Sequence, residues 1–324
     1  MLDLNKAKEK TMKHIFILNP MAGNGEMVKA VKSQLEALRN IDWETYETKA
    51  PMDATEFVKR YCTENKDPVR FYACGGDGTI QEVASGVVGF PHAEMSCLPC
   101  GSGNDFVKCF GGIGAFDDIQ NLAESPAKPI DLMKVGDKYS INIVNFGFDT
   151  CVANTMIKVK RKKIIGGKHA YTTGVVMGLL KAMKNKANVY ADGEKLGNGK
   201  FLLCTIANGQ YVGGSFHCAP KSEYDDGYLD VCYVNCISRF KFLKLIGAYT
   251  EGTHLDDDRF KDFITYRRVK EVRVEVPDGF CLTLDGEVFE TRDFTVEVIP
   301  SAIRFAAPRL KIEAEKDVKE AVTV

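Results

Sequence analysis

The chain has 324 residues, of which 45% are hydrophobic and 27% charged, and its formal net charge is −1. This length and apolar content suffice for two domains with real cores, which excludes a disordered protein. The balanced charge excludes a general attraction to nucleic acid, so no nucleic-acid partner is predicted. No apolar run approaches the roughly 18 residues that cross a bilayer, and the N-terminus lacks the pattern of a secretion signal. We therefore expect a cytoplasmic protein.

Short apolar strands alternate with helical patterns in the first part of the chain. The pattern predicts strands over residues 14–18, 43–48, 69–74 and 95–98. Helical spacing of apolar side chains is found in the segment with Val28, Val31, Leu35 and Leu38, in residues 54–62 and in residues 80–88. Such alternation is typical of a doubly wound parallel sheet. We predict an α/β domain over residues 1–132, in which residues 1–11 are an extension that the fold does not need.

From about residue 131 the pattern changes to β-branched, alternating segments that Gly, Asp or Pro interrupts. These segments predict strands over residues 139–144, 201–207, 228–234, 269–276, 280–284 and 294–299. Two helical stretches, residues 171–184 and 239–249, lie among them. This texture is typical of antiparallel sheets, and we predict an antiparallel β domain over residues 133–299.

The densest charge run of the chain is basic. It consists of Lys158, Lys160, Arg161, Lys162, Lys163 and Lys168. Such a run is usually a solvated surface. The alternative is peripheral docking to anionic lipid headgroups, to which each Lys or Arg contributes on the order of 1 kcal/mol. This alternative gains weight if the substrate is a lipid.

The 11 cysteines are interpreted as small buried hydrophobic residues, because a chain without an export pattern stays in a reducing compartment. Cys97 and Cys100 form a C-x-x-C pair, which also occurs in redox and zinc sites. Neither a second pair nor a nearby histidine completes such a site in the sequence.

Three glycine-bearing loops follow strands of the first domain, at residues 19–25, 75–79 and 99–105. The loops at the carboxyl ends of parallel strands line one crevice, so all three are predicted to face one ligand. None of them fits the Walker A pattern or the dinucleotide fingerprint.

The middle loop, Gly75-Gly76-Asp77-Gly78-Thr79, carries most of the chemistry. Thr79 and Glu82 match a capping box, which predicts Thr79 as the N-cap of the following helix. A helix N-terminus preceded by glycines can bind phosphate. Asp77 would repel that phosphate unless a divalent cation lay between them. The alternative is a plain Gly-Asp-Gly turn.

The predicted β domain contains two carboxylate motifs, Asp225-Asp226-Gly227 and Asp285-Gly286-Glu287. Both are also explained as turns, because Asp-Gly is a strong hairpin signal. In the second motif the turn would direct Glu287 toward a cleft, where its carboxylate could accept a proton from an attacking hydroxyl.

Taken in order, these motifs resemble the catalytic family of the diacylglycerol kinases, in particular the soluble bacterial lipid kinases. The matching residues are Asn19-Pro20 with Ala22-Gly23, Gly75 to Thr79, Leu98 to Phe106, Ile130-Asp131-Leu132, Asn145 to Asp149, Asp226-Gly227 and Leu284 to Glu287. NAD kinases share the middle loop alone, whereas the ordered set is specific.

The resemblance implies an NAD kinase-like α/β domain followed by a β-sandwich, with ATP in the cleft between them. It also implies Mg²⁺, a last segment after about residue 300 that packs back onto the first domain, and a homodimer contact. The residues that it assigns to ATP are Asn19, Pro20, Met21, Ala22, Gly23, Thr48, Gly75, Gly76, Asp77, Gly78, Thr79, Ile80, Gln81 and Ser102. Relatives usually have Asn at position 81 and commonly Thr at position 102, which puts the affinity for ATP in question.

The resemblance further assigns Glu287 as general base and Asp77 as a neighbour of the nucleotide's magnesium. A second, structural magnesium would be held by the Asp226 side chain and the backbone carbonyls of Glu223 and Tyr228. The predicted activity is ATP-dependent phosphorylation of diacylglycerol or a similar lipid at a membrane surface. The alternatives are an NAD kinase-like phosphotransferase and a non-catalytic nucleotide or lipid sensor.

Overall fold

A computed structural model describes residues 11–161 and 182–309, which form two compact units. Unit 1 comprises residues 11–101, Gly114–Lys128 and residues 303–309. Unit 2 comprises Ser102–Ile113 and the described residues between 129 and 302.

Unit 1 is built on a parallel sheet. Its strands are β1 (Lys13–Leu18), β2 (Asp42–Glu47), β3 (Val69–Gly75) and β4 (Ala93–Pro99). They pair in the order β4-β3-β1-β2, and all three pairings are parallel. All residues of β3 and β4 are buried, as expected for parallel strands that are covered on both faces. The four strands predicted for this domain are confirmed.

The helices of unit 1 are α1 (Glu26–Leu35), α2 (Asp53–Glu64), α3 (Asp77–Val87) and α4 (Ile119–Glu124). Helix α2 buries Ala54, Val58 and Cys62, which recur at helical spacing. A Cβ atom on Gly86 of α3 would lie 2.7 Å from the Cβ of Val58. The absence of a side chain at Gly86 therefore allows α2 and α3 to pack closely.

The remaining strands belong mainly to unit 2. In chain order they are β5 (Lys128–Val135), β6 (Lys138–Ser140), β7 (Ile143–Gly147), β8 (Asn185–Lys186), β9 (Asn188–Ala191), β10 (Glu194–Leu196), β11 (Lys200–Ala207), β12 (Leu229–Asn235), β13 (Ile264–Val269), β14 (Glu271–Glu275), β15 (Phe280–Leu284), β16 (Glu287–Thr291) and β17 (Phe294–Phe305).

These strands form a β-sandwich. One layer has the order β10-β9-β14-β17 with β5 and β6 beside it, and the other has the order β13-β12-β11-β7-β15-β16. The pairings of β7, β11 and β15 are antiparallel. Side chains of both layers, among them Phe146, Val272 and Val296, form one buried cluster. The predicted antiparallel domain is confirmed, and its core lies between the two layers.

The end of β17 returns to unit 1. Phe305 pairs in parallel with Met95 of β4, and the N–H of Ala306 donates to the carbonyl of Met95 at 2.7 Å. The hydroxyl of Ser96 donates to the carbonyl of Ala306, also at 2.7 Å. The β4 edge of the parallel sheet is therefore extended by a segment 210 residues later in the sequence.

Two helices cover the sandwich, α5 (Phe148–Arg161) and α6 (Arg239–Glu251). Helix α6 confirms the helix predicted over residues 239–249, whereas α5 was not predicted. The helix predicted over residues 171–184 and the basic residues Lys162, Lys163 and Lys168 lie largely or wholly outside the described part. Within residues 11–161 and 182–309, no helix is long and apolar enough to span a membrane.

The short segment Ser102–Ile113 belongs to unit 2, although the predicted boundary between the domains was residue 132. It contains a 3-10 helix, Phe106–Phe110, whose aromatic rings pack on Tyr224. The ring centroids of Phe110 and Tyr224 are 4.7 Å apart. Aromatic packing of this kind explains why the segment associates with the sandwich rather than with the parallel sheet.

Candidate active site

The first two loops of unit 1 are joined by a hydrogen bond. Asn19 follows β1, and its side-chain amide donates to the hydroxyl of Thr79 at 2.9 Å. The side-chain oxygen of Asn19 accepts from the N–H of Met21 at 2.9 Å, which shapes the turn after β1. Asn19 therefore fixes its own loop and its neighbour at the same edge of the sheet.

The third loop lies against the second. The N–H of Cys100 donates to the carbonyl of Gly75 at 2.7 Å, and a Cβ atom on Gly76 would lie 3.1 Å from the Cα of Gly101. A Cβ atom on Gly75 would collide with the Thr79 side chain, 2.2 Å from its hydroxyl oxygen. Glycine is therefore required at positions 75 and 76 for the loops to lie this close together. The predicted convergence of the three loops is found within unit 1.

Helix α3 begins at Asp77, with Gly76 as its N-cap. The prediction that Thr79 caps this helix is wrong, because the helix begins two residues earlier and Thr79 lies inside its first turn. Glu82 does not complete a capping box either: its carboxylate accepts from the N–H of Ala54, at the start of α2. Asp77 is the acidic residue of the first turn, where the helix dipole favours a negative charge.

The other residues assigned to ATP differ in their exposure to solvent. Thr48 lies beside Asn19, since its N–H donates to the carbonyl of Leu18 at 2.9 Å. Gln81 is half-buried on α3, whereas the Ile80 side chain is fully buried in the core. Exposed or half-buried positions are held by Pro20, Met21, Ala22, Gly23, Gly78 and Ser102. Ser102 is the one residue of this set that belongs to unit 2.

The cysteines near these loops are buried rather than reactive. Burial raises the pKa of Cys97 well above its ordinary value, and the negative charge of Asp77 raises it further. Burial also raises the pKa of Cys100 to about 11. Thiols with such pKa values are poor nucleophiles and poor metal ligands. The interpretation of these cysteines as buried hydrophobic residues is confirmed.

Glu287 begins β16 in unit 2, directly after a tight turn. Asp285 and Gly286 form the turn with φ values of 46° and 92°, so the Asp-Gly hairpin signal is confirmed. The Glu287 side chain is exposed. Its strand pairs with β15 in a register that places Glu287 opposite Leu284 and Phe289 opposite Leu282.

The carboxylate of Asp285 holds this turn in place. It accepts hydrogen bonds from the hydroxyl of Ser140 at 2.7 Å and from the N–H groups of Ile141, Asn142 and Ile143 at 2.9 to 3.0 Å. Burial raises the pKa of Asp285, and these donors oppose the shift. The sequence indicated a turn here but not this anchor, because the donors lie more than 140 residues earlier.

A cavity of about 680 Å³ opens in unit 2 beside the β15–β16 hairpin. Its lining combines the apolar side chains of Leu282, Leu284, Phe289 and Phe294 with charged ones such as those of Lys134, Arg273 and Glu290. Residues paired across antiparallel strands project to the same face, so Glu287 shares a face with Leu282, Leu284 and Phe289. A carboxylate thus lies at the border of an apolar surface.

The second acidic motif lies in the loop before β12. One oxygen of the Asp226 carboxylate accepts from the N–H of Tyr228 at 2.9 Å, and the other pairs with the guanidinium of Arg268. Asp131, which was matched only by resemblance, accepts from the N–H groups of Gly227 at 2.6 Å and Ser301 at 2.7 Å. Asp131 therefore ties this loop to β17.

The oxygen atoms of this loop are of the type that binds a hard cation. Burial raises the pKa of Asp131, and the negative charges of Asp226 and Asp225 raise it further. Carboxylate and carbonyl oxygens are the ligands that Mg²⁺ prefers. Among the described residues no group of three metal-binding side chains converges, so backbone carbonyls such as those of Glu223 and Tyr228 would have to complete the shell.

Two features of unit 2 were missed by the sequence analysis. Asp105 accepts from the N–H of Gly214 at 2.9 Å and pairs with Lys108 at 2.5 Å, while Lys108 donates to the Gly214 carbonyl. These two hydrogen bonds and the ion pair together hold the glycine loop Gly213-Gly214 in place. Asp149 is half-buried, and one of its carboxylate oxygens is buried without a hydrogen-bond partner in the part of the chain that is described. The motifs containing both residues were noticed, but long-range partners cannot be read from one sequence.

Comparison with known proteins places these features in a family. The diacylglycerol kinase catalytic domain matches residues 13–135, and the YegS C-terminal NAD kinase beta sandwich-like domain matches residues 142–307. A Pseudomonas aeruginosa protein named "Probable lipid kinase YegS-like" is 31% identical over 294 residues, which are 89% of this chain and 91% of that protein. A Bacillus subtilis protein named "Diacylglycerol kinase" is 29% identical over 278 residues, or 84% of this chain and 88% of that protein.

A crystal structure of a diacylglycerol kinase from Bacillus anthracis has the same fold. It superimposes with a TM-score of 0.66 at 20% sequence identity and covers 93% of this chain and 98% of that chain. The chain belongs to the family of lipid kinases that combine a diacylglycerol kinase catalytic domain with a YegS-type β-sandwich domain.

Proposed function

We propose that this lipid kinase transfers the γ-phosphate of ATP to the hydroxyl of diacylglycerol or a similar lipid, with Glu287 as general base. The observation that carries the proposal is the common face of the β15–β16 hairpin. There, Glu287 adjoins Leu282, Leu284 and Phe289, which line the cavity of unit 2. A carboxylate on the same face as these apolar side chains suits an alcohol whose remaining body is hydrocarbon.

The loops of unit 1 supply the nucleotide site of this proposal. Asn19, Gly75, Gly76 and Thr79 bring three strand ends together, and α3 begins there with Gly76 as its N-cap. The first N–H groups of a helix can bind phosphate oxygens. Magnesium, when bound with ATP, would neutralise charge on the β- and γ-phosphates. Asp77, in the first turn of α3, is the residue proposed to lie near it.

The proton of the acceptor hydroxyl is the part of the reaction assigned to Glu287. As the bond between the hydroxyl oxygen and the γ-phosphorus forms, the bond from that phosphorus to the ADP oxygen breaks. The carboxylate takes the proton and later releases it to water. General-base catalysis of this kind contributes typically 10²- to 10⁴-fold.

Asp226 would hold a second magnesium, with the carbonyls of Glu223 and Tyr228. Its place in the proposal is structural, because this loop shares hydrogen bonds with Asp131 and leads into β12. An ion there would offset the repulsion among Asp131, Asp225 and Asp226.

Labelling of acceptors tests the proposed activity. The purified full chain is incubated with γ-³²P-labelled ATP and Mg²⁺, either with diacylglycerol in mixed micelles, with a total lipid extract or with NAD. We expect label in a chloroform-extractable phospholipid from the first two mixtures and none in NAD. Label in NAD and not in any lipid would contradict the proposal, and so would ATP binding without transfer to any of the three.

A further inference from the structure

Helix α6 has one face that packs on the sandwich. Phe242, Ile246 and Tyr249 recur at helical spacing and contact a buried cluster that includes Phe148. The ring centroids of Phe242 and Phe148 are 4.6 Å apart. The helix is capped by Ser238, whose side chain accepts from the N–H of Lys241. The orientation of α6 is thus fixed by its buried face.

The opposite face of α6 presents two large apolar side chains to solvent. Phe240 is 69% exposed and Leu243 is 58% exposed. They lie three residues apart and therefore on neighbouring turns of one face. Gly247 continues this face, and a Cβ atom there would meet nothing within 4 Å. Single exposed apolar residues are ordinary, but an exposed pair on one helical face indicates an interaction surface.

Cationic side chains surround this apolar pair. Arg239, Lys241 and Lys244 are exposed, and no acidic residue occurs in α6 before Glu251. The ammonium of Lys244 lies 4.5 Å from the centre of the Phe240 ring, and that of Lys241 lies 4.2 Å from the Phe263 ring. The aliphatic parts of the lysines thus border the apolar face.

We propose that this α6 surface, formed by Arg239, Phe240, Lys241, Leu243 and Lys244, docks the protein onto an anionic lipid bilayer. A helix that combines exposed Phe and Leu with flanking Lys and Arg is typical of helices that lie in the membrane interface. A bilayer offers negative headgroups to the cations and an acyl boundary to the apolar pair, so it matches both components. This surface contains no residue of the basic run at residues 158–168. The proposal does not depend on Glu287 or on the nature of the acceptor.

Vesicle sedimentation without ATP or acceptor tests the proposal. The full chain is mixed with vesicles of phosphatidylcholine alone or of phosphatidylcholine and phosphatidylglycerol in equal parts. We expect binding to the anionic vesicles, a loss of about five-fold in partitioning for each of Lys241→Gln and Lys244→Gln, and a loss of about ten-fold for Phe240→Ser with Leu243→Ser.

The matched control combines Lys195→Gln with Ile113→Ser, an exposed cation and an exposed apolar residue elsewhere in unit 2. This control should partition like the wild type, and circular dichroism melting should show that all variants fold. Equal partitioning of the wild type and the α6 variants would overturn the proposal. A second outcome would also overturn it. If the wild type sedimented as a dimer without vesicles and the α6 variants sedimented as monomers, the surface would bind a second copy of the chain instead.

Discussion

The Ser140 hydroxyl donates a hydrogen bond of 2.7 Å to the Asp285 carboxylate, and this bond joins two segments that are 145 residues apart in the sequence. Three backbone N–H groups complete the set of donors to this carboxylate. Because Asp285 forms the turn that precedes β16, the position of Glu287 depends on this anchor. Removal of the anchor should therefore reduce catalysis without any change in the nucleotide loops.

Asp285→Asn is expected to lower the free energy of unfolding by about 2 kcal/mol, because an amide NH₂ replaces one acceptor among buried donors. The rate of lipid phosphorylation should fall together with stability, whereas the affinity of the folded protein for Mg-ATP should not change. Urea unfolding, turnover and calorimetric titration with Mg-ATP measure the three quantities. The control is Asp278→Asn, an exposed aspartate in the loop before β15. Unchanged turnover in Asp285→Asn would show that the anchor does not position Glu287.

The pair formed by Asn19 and Thr79 leads to a prediction for unit 1. Thr79→Val keeps the shape of the side chain but removes the acceptor of the Asn19 amide. We expect the affinity for Mg-ATP to fall about five- to ten-fold, with a loss of stability of about 1 kcal/mol. A double-mutant cycle with Asn19→Ala should give a coupling energy of similar size. If the losses of Mg-ATP affinity measured by calorimetry for the two substitutions were additive, the pair would not organise the loops. The control is Thr63→Val, on the exposed end of α2.

Much of this architecture follows from local patterns in the sequence. Strand β3 and helix α2 were predictable because apolar periodicity reports which face of an element is buried. The Asp285-Gly286 turn was predictable because few residues tolerate positive φ. The convergence of the loops followed from the rule that ligands bind at the carboxyl ends of parallel strands.

The parts that were missed depend on partners distant in sequence. The capping box at Thr79 was a sound local pattern, but the helix begins two residues earlier, at Asp77 with Gly76 as its N-cap, and the Thr79 hydroxyl accepts from the Asn19 amide. Helix α5 begins directly after the strand β7, which ends at Gly147, so no loop of turn residues marks the change of periodicity. The attachment of Ser102–Ile113 to the sandwich depends on aromatic contacts with Tyr224, which have no local signature.

Arg268 is predicted to compete with a cation for Asp226. Its guanidinium occupies one carboxylate oxygen, so Arg268→Ala should strengthen the binding of Mg²⁺ to this loop. The midpoint of thermal stabilisation by Mg²⁺, measured without nucleotide, should shift to about five-fold lower concentration, equivalent to about 1 kcal/mol. Arg267→Ala, at the exposed neighbouring position, should leave the midpoint unchanged, and Asp226→Asn should abolish the stabilisation. An unchanged midpoint in Arg268→Ala would contradict a cation site at Asp226.

Asp149 predicts a pH dependence of stability. Burial raises its pKa from the ordinary 3.8 to about 7, so between these values the folded protein keeps a proton that the unfolded chain has lost. This group therefore makes the protein less stable as the pH rises from about 4 to about 7, with no further change above. Relative to the wild type, Asp149→Asn should gain stability between about pH 4 and about pH 7, by up to about 1.4 kcal/mol per pH unit.

Urea unfolding of both proteins across this range measures the difference. The buried histidines His14 and His254, whose pKa values burial lowers to about 4, give a slope of the opposite sign. Both proteins contain them, so their contribution cancels in the comparison. Parallel stability curves would show that Asp149 is ionised in the folded protein at neutral pH.

The role of Glu287 as general base is tested most directly by Glu287→Gln, with Glu194→Gln as the matched control. Both residues are exposed on strands of unit 2, and Glu194, on β10, is not among the residues that line the cavity. The measurement is the transfer of ³²P from Mg-ATP to diacylglycerol in mixed micelles, with the Mg-ATP affinity and the melting temperature determined on the same samples. We predict that Glu287→Gln loses about 10²- to 10⁴-fold in turnover while it binds Mg-ATP and melts like the wild type, and that Glu194→Gln stays active. Wild-type turnover in Glu287→Gln would contradict the account.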